Sequence, residues 1–251
     1  MDHQLERSDR WGRHLPLSGA AYTVLMVAAA AAFPMPPGGD VSAASQPAWL
    51  AAHHDAVIGQ SYLRALAALA FIALAAAVAD GCRRALPGDS PLPGLALAGG
   101  VTSGGLVLLG QAASLAAALF VHDGGTMGTT RALGALQGGF LDMSAIPAIA
   151  LFAATGATAI RTHLLPRWLT VATLLGVPFA LLDAGSYDGG PLEAVGLLGL
   201  AYFLTWSLLV GVRLWLDAHV TTTVEPTTPT LATSDAPEPQ GLTGDLPSAP
   251  A

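Results

Sequence analysis

Lysine is missing from this 251-residue chain, and all ten basic residues are arginine. Charge of either sign is scarce, at 11% of residues against roughly 25% in a soluble domain. The acidic excess leaves a net charge of -7, with no basic cluster to neutralise phosphates, so nucleic acid is not an expected partner. A single cysteine, Cys82, excludes an intrachain disulfide and any cysteine-rich metal site. There is no G-x-S-x-G, no Walker loop, no G-x-G-x-x-G after a strand, no H-E-x-x-H and no His pair at i, i+4. The sequence therefore assigns no catalytic residue, no metal ligand set and no cofactor. No repeat of 20 to 50 residues is visible either, nor any convincing inverted symmetry between the halves.

What the chain does have is apolar length. Hydrophobic residues make up 53% and the mean hydropathy is +0.56, a membrane composition. A spanning helix needs about 20 residues, with a range of about 17 to 25. Six apolar segments are read as spans, at about 17–33, 62–79, 94–121, 140–160, 168–182 and 192–212, the fifth being shorter than that range. The expected fold is all-α, a polytopic transmembrane helical bundle. A polar N-terminal arm (1–16) precedes it. A tail over 217–251, rich in Thr, Pro, Ser and acids, follows; it is expected to be disordered because it holds too little apolar surface to fold. The first span has a rival reading as a signal peptide cleaved near Val41-Ser42-Ala43.

The third segment anchors this reading. It is uncharged throughout, and Ala96, Gly100 and Gly104 fall four apart, as do Gly110, Ser114 and Ala118. Small residues at that spacing let helices approach closely in lipid. A helix small on two faces is expected at the centre of the bundle. The Gly-Gly pairs at 99–100 and 104–105 therefore read as packing and not as phosphate binding. A helix capped by Ser45 is expected to run from Pro47 through His53, His54 and Asp55 into the second span. The segment 122–139 reads as a Gly-rich connection. Pro147 and Pro178 should free the carbonyls of Met143 and Leu174.

Arginine placement orients the bundle. With six spans, one side holds Arg7, Arg10, Arg13, Arg83, Arg84, Arg161, Arg167 and Arg213, and the other only Arg64 and Arg131. Both termini are accordingly expected in the cytoplasm of a multi-pass plasma-membrane protein. The abundant Ala, Gly and Pro suggest GC-rich bacterial coding, hence a bacterial inner membrane. Trp11, Trp168 and Trp215 then fall at the inner interface, and Trp49, Tyr62 and Tyr187 at the outer one.

The outer side gathers the residues that could carry chemistry: Asp40, His53, His54, Asp55, Arg64, His122, Asp123, Arg131, Asp142, Asp183, Asp188 and Glu193. Charges at membrane depth are costly, so those retained usually pair or serve a pathway. Arg64 or Arg131 clamped to Asp142 or Asp183 would pin helices together; the sharper alternative is a site for an anionic head group or solute. His53, His54 and Asp55 with His122 and Asp123 could hold zinc, but adjacent histidines diverge on a helix, and solvated side chains are the simpler reading. A pH-sensing role stays open. Gln111, near the middle of the third span, needs partners in hydrocarbon. It either bonds another helix or lines a solute path.

Several stretches carry a family resemblance: Trp11-Gly12-Arg13 with Pro16-Leu17-Ser18-Gly19, the His-bearing helix before Tyr62-Leu63, Thr130-Arg131-Ala132-Leu133, and Leu164-Leu165-Pro166-Arg167-Trp168-Leu169. The chain resembles, from about Trp11 to Leu216, the uncharacterised six-span integral membrane proteins common in actinobacteria, a domain-of-unknown-function family. The resemblance implies the six-span fold and no particular activity. The leading functional expectation is a non-enzymatic accessory protein that binds another membrane protein or a second copy of itself. The alternatives are a small-solute or ion carrier and a membrane-embedded metal-dependent hydrolase.

Overall fold

The computed structural model describes residues 14–33, 46–184 and 193–223. These contain helices and turns with no strand. A short 3-10 turn, Leu15–Leu17, leads into α1 (Ser18–Ala32). Then come α2 (Gln46–Ala52), α3 (His54–Ala85), α4 (Leu92–His122), α5 (Met127–Thr162), α6 (Arg167–Asp183) and α7 (Glu193–Thr223). Residues 1–13, Asp40, the 41–43 segment, the Ser45 cap, Tyr187, Asp188 and the tail from 224 on lie outside the described residues, as does the side chain of Glu193.

Five helices are long and apolar enough to cross a membrane, corresponding to the expected spans other than 168–182. The remaining helix, α6, has 17 residues. At 1.5 Å per residue it reaches about 25 Å, short of a hydrocarbon core of about 30 Å. The chain is an integral membrane protein.

Several boundaries differ from the sequence reading. The connection expected over 122–139 is helical from Met127 onward. The Thr126 side chain caps it by accepting the Thr129 N–H at 3.5 Å. Gly128, Gly138 and Gly139 have open space where a Cβ would stand, so these glycines neither turn the chain nor seat a neighbour. Glycine weakens a helix by about 1 kcal/mol against Ala, which an extended rod of this length overrides. The helix expected from Pro47 into the second span is interrupted at His53 (φ -120°, ψ 23°), which separates α2 from α3. The last helix runs on to Thr223, so 217–223 is helical and not tail; Arg213 and Asp217 pair there at 2.8 Å.

The six long helices form a closed antiparallel ring in the order α1, α3, α4, α5, α6, α7 and back to α1. Each seam has a marker. Gln60 donates to the Ala29 carbonyl at 3.3 Å between α3 and α1. Gly104 faces Ile72 between α4 and α3, and a Cβ on it would stand 2.5 Å from the Ile72 Cγ1. Gly99 backs onto Pro147 and Leu151 of α5, and Gly176 of α6 onto the Phe152 ring. Trp206 of α7 donates its indole N–H to the Thr173 hydroxyl of α6 at 3.0 Å. Thr23 of α1 donates to the Leu204 carbonyl at 3.0 Å, closing the ring.

The third span is therefore not the axis of the bundle. Its small-residue rows serve the two flanking seams, to α3 and α5, where burial of Ala96, Gly99, Gly100, Gly104 and Gly110 brings backbones together. The helix that reaches across the ring is α3, which also touches α5 and α7. At the end of the ring bearing Arg83, the interior is filled by Leu74, Val78, Cys82, Leu151, Leu169, Trp206 and Val210, all buried. The half toward His54 is not filled.

Candidate functional site

Within that unfilled half is a cavity of about 440 Å³, lined by side chains from all six long helices. Its upper tier is polar. Arg64 reaches it from α3, Gln111 from α4, Asp142 from α5 and Asp183 from α6. Arg64 and Gln111 share a level, which the antiparallel α3–α4 seam sets. Ser61 hydrogen-bonds Ser114 at 3.2 Å, one turn toward the His54 end from Arg64 and Gln111 alike. Gly110 packs on Leu141, the chain neighbour of Asp142. The Asp183 carboxylate lies over Gly199 of α7, where a Cβ would stand 3.5 Å from Oδ1. Asp183 is also within electrostatic reach of Asp142 and of the Tyr22 hydroxyl.

Arg64 is half-buried about ten residues into α3, some 15 Å below its start at the helical rise. Its Nε is buried with no hydrogen-bond partner. A guanidinium offers five donors and cannot shed its proton in a protein, so this buried N–H without an acceptor is a cost the fold carries. Gln111 is buried at 3% exposure and lines the same void.

The lower tier is aromatic. Tyr22, Phe71, Phe152, Phe179, Tyr202 and Phe203 line the cavity. Phe71 and Phe203 are 5.1 Å apart between centroids, Phe152 and Phe203 meet edge-on at 5.6 Å, and Phe179 stacks on Tyr202 at 4.8 Å. Phe152 also meets Trp206 edge-on at 4.7 Å, beyond which the filled core begins. The cavity is thus blind toward the Arg83 end. Beside α7 its rim includes Leu197 and Leu200, both exposed, so the mouth there is apolar. A polar tier over an apolar, aromatic floor is the usual composition of a small-molecule site, as is a volume within about 300 to 1,000 Å³.

Among the described residues, the structure leaves Arg131, Asp123, Asp55, His53, His54 and His122 outside the lining of this cavity. Arg131 is exposed near the start of α5, and Asp123 is exposed at the end of α4. His53 stacks on Trp49 at 4.5 Å and bonds its carbonyl at 2.9 Å, an arrangement within the break between α2 and α3. His54 stacks on His122 at 4.5 Å and meets Asp55 at 3.0 Å. Among the described residues, no three His, Cys, Asp or Glu side chains converge to hold a metal ion.

The aromatic floor escaped the sequence reading. Aromatics are only 6% of the chain, and the floor draws them singly from α1, α3, α5 and α6. The one local signal is Tyr202, Phe203 and Trp206, which crowd less than two turns of α7. Comparison with protein-family models, curated proteins and solved structures returns no match. The fold and the site together define an integral membrane protein whose helices form a ring around an internal cavity.

Proposed function

We propose that this chain is a solute-binding membrane protein of carrier type, with the cavity as its binding site. One observation supports the reading above the others: Arg64, Gln111, Asp142 and Asp183, from four successive helices, line one void. A structural pin between two helices needs one charge pair and no cavity. A surface for a partner protein needs exposed groups, whereas these turn inward. The geometry therefore favours the solute alternative over the accessory, partner-binding role. It also favours it over a metal-dependent hydrolase, whose ligands do not assemble among the described residues. Carriage across the membrane would require the aromatic floor at Phe71, Phe152 and Phe203 to part.

We place the Arg83 end in the cytoplasm and the chain in the cell membrane. Arg83, Arg84, Arg161, Arg167 and Arg213 cluster at that end, against Arg64 and Arg131 on the other half, which supports the assignment by the positive-inside bias.

The test is native mass spectrometry of the full chain released from nanodiscs, beside Ala145→Trp. Ala145 is buried and lines the cavity. A bound small molecule on the wild type, lost from Ala145→Trp, is the expected result. A bare wild type, or equal occupancy of both, overturns the reading.

A further inference from the structure

We infer that the cavity is loaded sideways from the bilayer, through a portal between α1 and α7, and that its ligand is a neutral aromatic molecule dissolved in the lipid. The inference rests on the solute-binding reading above and names the route and chemical class of its ligand.

The α1–α7 seam is tight at one end and open at the other. A Cβ on Gly19 would run into the Ser207 carbonyl, and one on Gly211 would stand 3.2 Å from the Gly19 Cα. One turn on, Thr23 of α1 donates to the Leu204 carbonyl at 3.0 Å. Positions 211, 207 and 204 of α7 thus form one row against α1, at helical spacing. The same row continues to Leu200 and Leu197, which are 42% and 64% exposed, and both line the void. Further along α1 from the Thr23 bond, Met26 lines the void and Val27 is exposed. Tyr22 and Phe203, edge-on at 6.0 Å beside the Thr23 bond, form the sill of this gap.

These residues all fall within the two stretches, Leu15–Ala32 and Gly196–His219, that are long and apolar enough to cross a membrane. A gap at that depth opens on hydrocarbon and not on water. A charge is costly there, so what passes the portal passes it neutral. Behind the sill, the rings of Phe71 and Phe152 offer an aromatic guest edge and face contacts. Gln111, whose amide both donates and accepts, can meet a neutral polar group on the same molecule.

The experiment irradiates the full chain in nanodiscs with 3-phenyl-3-(trifluoromethyl)diazirine, a neutral lipid-soluble carbene source, and maps the labelled residues by mass spectrometry. Its para-carboxylate is the charged comparison. Exposed Leu181 reports labelling from the lipid face. The neutral probe should label Phe71 or Phe152, which are 3% and 1% exposed, and excess naphthalene should suppress that labelling but not the labelling of Leu181. The carboxylate should label the interior at least about tenfold less. Leu200→Trp, which fills the portal from an exposed position, should abolish interior labelling and leave Leu181 as before. An unlabelled interior, a carboxylate that labels it as strongly as the neutral probe, or interior labelling undiminished in Leu200→Trp overturns the inference. Where any of these accompanies a wild type that carries a bound molecule in native mass spectrometry, the route and class are wrong and the solute-binding reading stands. A wild type bare in that measurement removes the reading, and this inference with it.

Discussion

Gly99 of α4 lies against Pro147 of α5 so closely that a Cβ on Gly99 would stand 2.6 Å from the Pro147 carbonyl oxygen and 2.8 Å from the Leu151 nitrogen. Both obstacles are backbone and cannot swing aside. Gly99→Ala is therefore expected to force the α4–α5 seam apart, at a cost of about 1 to 3 kcal/mol, the range for overpacking a close contact. Gly105, one and a half turns on, has nothing within 4 Å of its would-be Cβ. Gly105→Ala should leave stability unchanged or raise it by up to about 1 kcal/mol through helix propensity. Reversible unfolding in mixed micelles separates the two.

The α6–α7 seam carries a second expectation. Trp206, 2% exposed, donates to Thr173, and the Thr173 hydroxyl donates in turn to the Leu169 carbonyl at 2.8 Å. Trp206→Phe and Thr173→Val should each destabilise the fold. Their double-mutant cycle should show a coupling of about 0.6 to 1.7 kcal/mol, the range for hydrogen bonds between membrane helices. A coupling of zero would mean the indole N–H is satisfied elsewhere.

The stacked His54 and His122 rings stand outside the cavity lining. Replacing either with Ala is accordingly expected to leave cavity occupancy, followed by native mass spectrometry, as in the wild type. Loss of the bound molecule in His54→Ala would extend the site to the α3–α4 junction.

Orientation has its own check. With the Arg83 end cytoplasmic, a fluorescent protein fused after Ala251 should light up and alkaline phosphatase fused there should stay inactive. The opposite pattern would put the cavity mouth in the cytoplasm.

The all-helical architecture was legible in the sequence because uncharged runs of spanning length admit few alternatives in lipid, where backbone groups must bond within the segment. The close seams were legible too, since Gly100 and Gly104 at one spacing announce a near backbone. Two things were not. Glycines at 128, 138 and 139 suggested a loop where α5 continues, because local propensity is weaker than the tertiary context that holds the rod. The ring closure was also hidden. It depends on α1 meeting α7 through Gly19 and Gly211, nearly two hundred residues apart in the chain, and nothing local encodes that pairing. Arg64, Asp142, Asp183 and Gln111 stood out singly as costly residues at depth. Their convergence, and the separation of Arg131 and the histidines from them, follow only from the order of helices round the ring.

The most direct measurement is an experimental density map of the full chain in lipid nanodiscs, read around Arg64, Gln111, Asp142 and Asp183. The account predicts non-protein density bounded by these four side chains above and by the rings of Phe71, Phe152 and Phe203 below. A collapsed ring, with those side chains packed against one another and no space between them, would contradict it.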